Sequence, residues 1–228
     1  MLKRVSIFTL FVILVSPAFC IEKPDDAAKI IVSGHGSIKV EADLSYVNLA
    51  IEELKDSASQ AQKQAAQKMQ SVLSALQKIG IKKKDIQTTS FRLNPKYKYE
   101  KGRKNLIGYT ATNQIRVTLN DLSKVGEVID TAISAGANNV SNVAFTVEDN
   151  APHKRAALKN AFNNAKEKAK AIAAAADLRL KKILNISESG ARVITPYTGV
   201  RAMKAETPIV PGKVEVRGHL TVTYECIK

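Results

Sequence analysis

Residues 152–178 read PHKRAALKNAFNNAKEKAKAIAAAADL, and this stretch decides the fold. Apolar residues recur along it every three or four positions, the spacing of one side of an amphipathic α-helix: Leu158, Phe162, Ala165, Ala169, Ile172 and Ala176. The opposite side carries lysine, asparagine and aspartate. Because most of the apolar side is alanine, we expect this long helix to lie close against a sheet, and no reactive group is on that side.

The residues that open the domain have the two-residue period of β-strands. Between Ile30 and Val40, apolar residues and glycines alternate with polar residues that include His35. This pattern predicts a strand, and we interpret its two central glycines, Gly34 and Gly36, as a bulge. The alternation from residue 47 to 51 is either a second strand or a continuation of the first.

Helical and extended patterns then follow one another in a known order. A helix is predicted over 57–80, strands over 86–99 and 109–119, a short helix after Asp121, and a strand over 143–147. Strand, helix, strand, strand, helix, strand is the order of a split βαβ unit. The predicted fold class is therefore α+β. An antiparallel sheet of split βαβ type with helices on one face takes up residues 44–149, and the long helix and C-terminal strands take up 150–228.

The last strand, 214–224, resembles the first because both are long and both have a central glycine. We expect these two strands to pair, since pairing removes an exposed sheet edge. Before the last strand, residues 190–212 are predicted to form a loop. Loops of this length in compact domains commonly serve a function, and we interpret this one as an oligomerisation arm that includes Pro196, Tyr197, Arg201, Pro208 and Pro211.

The first 20 residues have the pattern of a secretory signal peptide. Lys3 and Arg4 precede an apolar run that is about half the ~20 residues a membrane-spanning helix needs. Cleavage after either Ala18 or Cys20 fits the small residues at the positions that the peptidase reads, and lipidation of Cys20 is a third alternative. Residues 21–28 are then a linker, and Cys226 is interpreted as a small apolar core residue.

The chain is strongly basic, with 35 lysines and arginines against 21 acidic residues. Basic residues concentrate between 78 and 104, and we predict a basic surface made of Lys82, Lys83, Lys84, Lys96, Lys98, Lys101, Arg103 and Lys104. In an exported protein such a surface favours an anionic envelope or host component over nucleic acid. The alternative is a solvated surface that keeps the protein soluble.

The sequence has no recognisable catalytic motif. It has three histidines, and none of them has the spacing of a metal-ligand motif. His35 and His219 fall on the polar faces of strands that we expect to be neighbours. They are therefore the only candidates for a metal site, and the preferred interpretation is that they are solvent-facing strand histidines. We predict no cofactor, no catalytic residue and no metal site beyond these two weak candidates.

Short motifs extend in one order from about residue 30 to residue 224: Gly34-His35-Gly36, Asp43, Gly80, Asp85-Ile86-Gln87-Thr88, Pro95, Tyr97, Tyr99, Gly108-Tyr109, Gly136-Ala137-Asn138, Phe145 and Ile186-Ser187-Glu188. In order and spacing they resemble the SIMPL-domain family, an exported group that includes the bacterial periplasmic immunogenic proteins. The chain departs from the family at Ala42, where proline is usual, and at Asp177, where a glycine-containing turn is more common.

The resemblance implies a SIMPL domain over residues 29–228 in a periplasmic or envelope-associated protein. It also implies self-assembly and, in some members, a link to stress tolerance, without a characterised catalytic site. We therefore predict a non-enzymatic exported envelope protein that forms homo-oligomers, presents a basic surface and serves envelope stress tolerance or host interaction. One alternative is a small-ligand or metal-binding protein or enzyme with a pocket near Tyr97, Tyr99 and Tyr109. The other is a salt-sensitive polyanion or nucleic-acid binder.

Overall fold

The computed structural model describes residues 28–100, 102–194 and 211–228. Seven strands and three α-helices follow one another in the order β1 (Ala28–Glu41), β2 (Leu44–Lys55), α1 (Ala58–Lys78), β3 (Ile86–Glu100), β4 (Arg103–Leu119), α2 (Val125–Ser134), β5 (Asn139–Thr146), α3 (Ala151–Ala175), β6 (Arg179–Ile194) and β7 (Lys213–Ile227). The predicted signal peptide and nearly all of the predicted linker lie outside the described residues. Within the described ranges, no helix is both long and apolar enough to cross a membrane.

The strands form two antiparallel sheets, and the α+β prediction is confirmed. Four strands are arranged β3-β4-β2-β5, the strand order of a split βαβ unit, with α1 and α2 packed on one face. The other three strands are arranged β1-β7-β6, with α3 on one face. The predicted pairing of the first and last strands is confirmed, because β1 pairs with β7 from Ala28 to Glu41.

The four-stranded sheet has a core of large branched side chains. Ser57 caps α1 by accepting a hydrogen bond from the Gln60 N–H at 3.3 Å. Asp121 accepts hydrogen bonds from Ser123 in the turn before α2, and these bonds hold the pKa of the Asp121 carboxyl below its ordinary value. The fully buried side chains of this core include Val47, Leu49, Ile51, Val72, Leu76, Ile115, Val117, Val128 and Val143.

The three-stranded sheet is packed in a different way, and here the predicted helix stripe is wrong in its rotation. The side of α3 that faces the sheet consists of alanines spaced by four residues: Ala157, Ala161, Ala165, Ala169 and Ala173. Leu158 and Phe162 are only half-buried, and Ile172 is 48% exposed. The pattern misled because the large apolar residues lie beside the centre of the contact, which alanines form; Phe162 packs against the margin of the buried cluster.

Glycines in β1 and β7 let α3 pack so close to the sheet that only small side chains fit on the helix side of this contact. A Cβ atom on Gly34 would lie 2.1 Å from the Ala161 carbonyl oxygen, and one on Gly36 would lie 2.3 Å from the Ala157 carbonyl oxygen. A Cβ atom on Gly218 of β7 would likewise lie 2.9 Å from the carbonyl carbon of Ala157. The predicted bulge at Gly34 and Gly36 is wrong, since the β1–β7 register is unbroken there. These glycines allow the helix backbone to approach the sheet.

Side chains of α3 also cover the free edge of β1. The Asn160 amide donates to the Ser37 carbonyl oxygen at 3.3 Å, and the Asn164 Oδ1 atom accepts from the His35 N–H at 3.1 Å. The Lys168 ammonium donates to the Ser33 carbonyl oxygen at 3.0 Å. Four helical residues and two strand residues both span about 6 Å, so one helix face can match one strand edge.

The predicted arm loop of residues 190–212 begins later than the sequence indicated. Strand β6 continues to Ile194, still paired with β7, because a register shift beside Gly190 absorbs one residue without ending the ladder. Gly190 has a φ of 102°, a value that favours glycine. Of the five predicted arm residues, Pro211 is exposed just before β7. The remaining four, Pro196, Tyr197, Arg201 and Pro208, lie outside the described residues.

Candidate functional site

His35 and His219 meet on the face of the three-stranded sheet that α3 does not cover. The register pairs them directly, with ring centroids 4.4 Å apart and Nδ1 atoms 3.0 Å apart. The His35 N–H donates to Asn164 and not across to β7. This makes the two histidines a non-hydrogen-bonded antiparallel pair, the type in which opposing side chains come closest. The structure thus brings together two residues that are 184 positions apart in sequence.

The histidine pair lines a groove of about 630 Å³. Its floor is formed by β1 and β7 and its far wall by the end of β6. Alternation along the strands puts three successive residue rows on this face: His35, His219 and Gly190, then Ser37, Arg217 and Arg192, then Lys39, Glu215 and Ile194.

The groove contains two arginines that oppose each other on neighbouring strands. Arg192 of β6 pairs in register with Arg217 of β7. Arg217 donates to the Glu215 carboxylate at 2.6 Å, which holds the pKa of Glu215 below its ordinary value and raises that of Arg217. Glu215 is the one acidic residue among those that line the groove. The lining therefore carries one more positive than negative charge before the histidines are counted.

The geometry gives a metal ion two imidazole ligands at most. Structural and catalytic zinc sites use three or four protein ligands. In the described part of the chain, no group of three or more histidine, cysteine, aspartate or glutamate side chains is placed to hold a metal ion. The residues present do not complete a typical zinc site, and metal binding by His35 and His219 stays a prediction.

Sequence reasoning placed the histidines correctly but missed the arginines. The predicted loop of residues 190–212 includes Arg192, and the predicted last strand, 214–224, includes Arg217. The alternation of Arg217 with His219 could have placed both on one face. The pairing of Arg192 with Arg217 depends on three register shifts between β6 and β7, and no sequence pattern reports those.

Tyr97, Tyr99 and Tyr109, the residues of the alternative pocket prediction, lie on the hairpin of β3 and β4. β4 pairs with β2 up to the pair Lys55 and Tyr109, and beyond that pair the hairpin projects from the sheet. Alternating residues on the helix-covered side of β3 and β4 are exposed both within the sheet, where β3 is its edge strand, and on the projection: Phe91 50% and Leu93 38% within the sheet, and Tyr97 38%, Tyr99 70% and Leu106 51% on the projection. The hairpin thus has an apolar face, which these five residues define.

A pocket near Tyr97, Tyr99 and Tyr109 was the alternative prediction. Two open cavities among the described residues, the groove and a second of about 380 Å³, are lined by other side chains. The second cavity lies between the end of α3 and β6. It includes Tyr224, whose buried hydroxyl has no hydrogen-bond partner among the residues that the structure describes and whose pKa is raised by burial. The predicted tyrosine pocket gains no support from either cavity.

The predicted basic residues divide into two groups. Lys82, Lys83 and Lys84 are exposed just before β3, whereas Lys96, Lys98, Arg103 and Lys104 are exposed on the projecting hairpin. At ~3.3 Å per strand residue, the length of β3 puts roughly 35 Å between the two groups. Lys98 pairs with Glu100 at 2.6 Å, and Lys104 lies 3.9 Å from the centre of the Tyr97 ring. Lys101 lies outside the described residues.

Comparison with known proteins identifies a family for the chain. The family model SIMPL, described as "Protein of unknown function (DUF541)", matches residues 30–224. "Uncharacterized protein YggE" of Escherichia coli K12 is 30% identical over 181 residues, which cover 79% of this chain and 73% of that protein.

A second relative has a more informative name. The "26 kDa periplasmic immunogenic protein" of Brucella melitensis biotype 1 is 30% identical over 179 residues, covering 75% of this chain and 72% of that protein. YggE of Edwardsiella ictaluri is 27% identical over 145 residues, or 63% of this chain and 61% of the relative. The chain therefore belongs to the SIMPL family, and the resemblance seen in its motifs is confirmed.

Proposed function

We propose that this SIMPL-family protein is a non-enzymatic exported protein of the bacterial envelope that assembles with copies of itself and presents a basic surface to an anionic partner. Export is supported by the signal-peptide pattern of residues 1–20 and by the periplasmic relative. The names of the relatives include no enzymatic activity, which favours a non-enzymatic role. Envelope stress tolerance or host contact is the role we expect for such an assembly, in the periplasm or at the outer membrane.

The apolar face of the hairpin is the observation that carries the assembly. Phe91, Leu93, Tyr97, Tyr99 and Leu106 are each more than a third exposed, and they lie on one face of the β3–β4 hairpin, the last three on the part that projects from the sheet. Monomeric proteins seldom leave a contiguous apolar patch of this kind uncovered. A second copy of the chain would remove it from water and gain the free energy of apolar burial.

The opposite face of the same hairpin is basic. Arg92, Lys96 and Lys98 alternate with the apolar residues of β3 and so point to the other side. A hairpin of this type can bury one face against another copy while the other face stays available to an anionic component of the envelope or host.

Light scattering coupled to size-exclusion chromatography tests the assembly on the mature protein. We expect the wild type to elute as an oligomer, and the double variant Leu93→Ser with Tyr99→Ser to have a clearly smaller mass. Lys96→Ser is the matched control, since it changes the opposite face of the same strand. A wild-type protein that is monomeric at micromolar concentration would rule the assembly out.

Polyanion binding is tested separately with two sets of substitutions. Binding to immobilised heparin should weaken with added salt, because it depends on released counterions. Glutamine at Lys96, Lys98 and Arg103 tests the hairpin group, and glutamine at Lys82, Lys83 and Lys84 tests the group before β3. If only the second set weakens binding, the hairpin is not the basic surface. If that set also weakens binding to single-stranded DNA, the nucleic-acid alternative gains support.

A further inference from the structure

We propose that the groove on the uncovered face of the three-stranded sheet binds a phosphate group, held by Arg192, Arg217 and the histidine pair. This site is distinct from the hairpin and goes beyond the proposed assembly. It does not depend on that assembly, because the two features lie on different sheets.

The placement of charge is the first argument. Like charges directly opposite each other on neighbouring strands destabilise a sheet. Arg192 and Arg217 nevertheless occupy such a position, and Glu215 is already bonded to Arg217. Arg192 has no acidic partner among the residues that line the groove. A bound phosphate would offset this repulsion, because guanidinium groups match the geometry of phosphate oxygens and donate several hydrogen bonds at once.

The histidine pair supplies a further donor. The 3.0 Å contact requires one ring to carry its proton on Nδ1 and the other ring to accept it. The accepting ring, when neutral, must then carry its own proton on Nε2. Whichever of His35 and His219 donates, the pair therefore presents one Nε2–H group that is available to a ligand. The hydroxyls of Ser37 and Ser189 line the same groove.

Space for a ligand comes from Gly190. A side chain in its place on β6 would stand beside His219, in the row that the two histidines share. A Cβ atom built there meets no other atom of the described residues within 4 Å, so the described side chains leave the groove open at this point. Its volume of about 630 Å³ lies within the ~300–1,000 Å³ typical of small-molecule sites. The groove can therefore hold a phosphate group together with the organic part of a larger ligand.

Nuclear magnetic resonance of the histidine rings tests the proposal directly. The chain has three histidines, and His153 lies on α3, outside the groove. Inorganic phosphate is titrated into the mature protein at fixed pH and ionic strength, with chloride as the balancing anion. We expect the ring signals of His35 and His219 to move in a saturable way while those of His153 stay in place. Equal movement of all three signals, or no movement, would overturn the proposal.

Arg192→Gln tests the same site by substitution. Loss of a charge-assisted bond should weaken phosphate binding about tenfold or more. Arg179→Gln is the matched control, because Arg179 is also exposed on β6 but lies outside the groove. Both variants are first compared with the wild type by thermal unfolding without phosphate. A folded Arg192→Gln protein that binds phosphate as tightly as the wild type contradicts the proposal.

Vesicles separate two sources of the phosphate group. If the ligand is a lipid headgroup, phosphatidylglycerol vesicles should bind the wild type and the Arg179→Gln variant but bind Arg192→Gln much less. If it is a soluble phosphate compound, the three proteins should bind vesicles alike while free phosphate still moves the histidine signals. The mass of Arg192→Gln is measured in parallel. We expect it to match the wild type, so that failure of the groove and failure of the assembly can be told apart.

Discussion

The two sheets of this protein bury their helix-covered faces in opposite ways. In the four-stranded sheet the space between sheet and helices is filled by leucine, isoleucine and valine, such as Leu49 and Ile115. In the three-stranded sheet that space is nearly eliminated where Gly34, Gly36 and Gly218 face α3 around Ala157 and Ala161, and larger side chains such as Val32 and Val222 complete the cluster beside this contact. The first arrangement depends on side-chain volume and the second on its absence, so the two halves should fail under opposite substitutions.

The edges of the sheets differ in the same way. The β1 edge of the three-stranded sheet is covered by Asn160, Asn164 and Lys168 of α3. β3, at the edge of the four-stranded sheet, continues into the projecting hairpin with its apolar face exposed. One edge is covered by helix side chains, whereas the other leaves apolar side chains exposed to solvent.

Removal of volume from the four-stranded core should have the largest effect. Leu49 is fully buried between β4 and β5, and Leu49→Ala should lower the free energy of unfolding by about 4 kcal/mol through lost burial and the remaining cavity. Urea denaturation monitored by circular dichroism measures this change in the free energy of unfolding. A loss below about 1 kcal/mol would mean that this core does not depend on packed volume.

Addition of volume should damage the three-stranded sheet by the next largest amount. Gly34→Ala places a methyl group 2.1 Å from the Ala161 carbonyl oxygen, and separating helix from sheet should cost about 3 kcal/mol. Gly212→Ala is the control, since no atom of the described residues lies within 4 Å of its Cβ position, and we expect it to change stability by less than about 0.5 kcal/mol. Equal melting temperatures for the two variants would contradict the close-packing account.

Opening of the β1 edge should have a smaller effect. Asn164→Ala removes the acceptor of the His35 N–H and should cost about 1 kcal/mol. The neighbouring Asn163→Ala, on the exposed side of α3, should be close to neutral. Hydrogen exchange of the His35 amide gives the specific readout, because only Asn164→Ala should accelerate it. Unchanged exchange would show that the helix side chains do not protect this edge.

The smallest effect should come from the ion pairs of Glu225, and it should change the stability of the protein in a pH-dependent way. Glu225 accepts a hydrogen bond from Lys181 at 2.6 Å and forms an ion pair with Lys182 at 3.2 Å. These contacts, and mainly the hydrogen bond from Lys181, hold the pKa of the Glu225 carboxyl below its ordinary value. A carboxyl whose pKa is lowered by folding stabilises the protein above about pH 4.3, and this contribution is lost as pH falls through the lower folded value.

Glu225→Gln should therefore melt below the wild type at neutral pH, and the difference should shrink in acid. Thermal unfolding at a series of pH values measures this. A constant difference across the series would show that ionisation of Glu225 does not help to attach β6 to β7.

The candidate site was only partly predictable. The alternation around His35 and around His219 placed each on the polar face of its strand, and the expected pairing of first and last strands made them neighbours. Their 3.0 Å contact and the opposing arginines depend on which residues face each other across β1, β7 and β6. That register is set by contacts between segments far apart in sequence.

The sequence by itself determined the elements of this fold and their order, because the periods of helices and strands are local properties of the chain. It also determined the family and the pairing of the first and last strands. Only the tertiary structure decided which side of α3 is buried, where β6 ends and which cationic groups share a groove. Those features depend on backbone approach at glycine and on strand register, and both arise from the balance of contacts between distant segments.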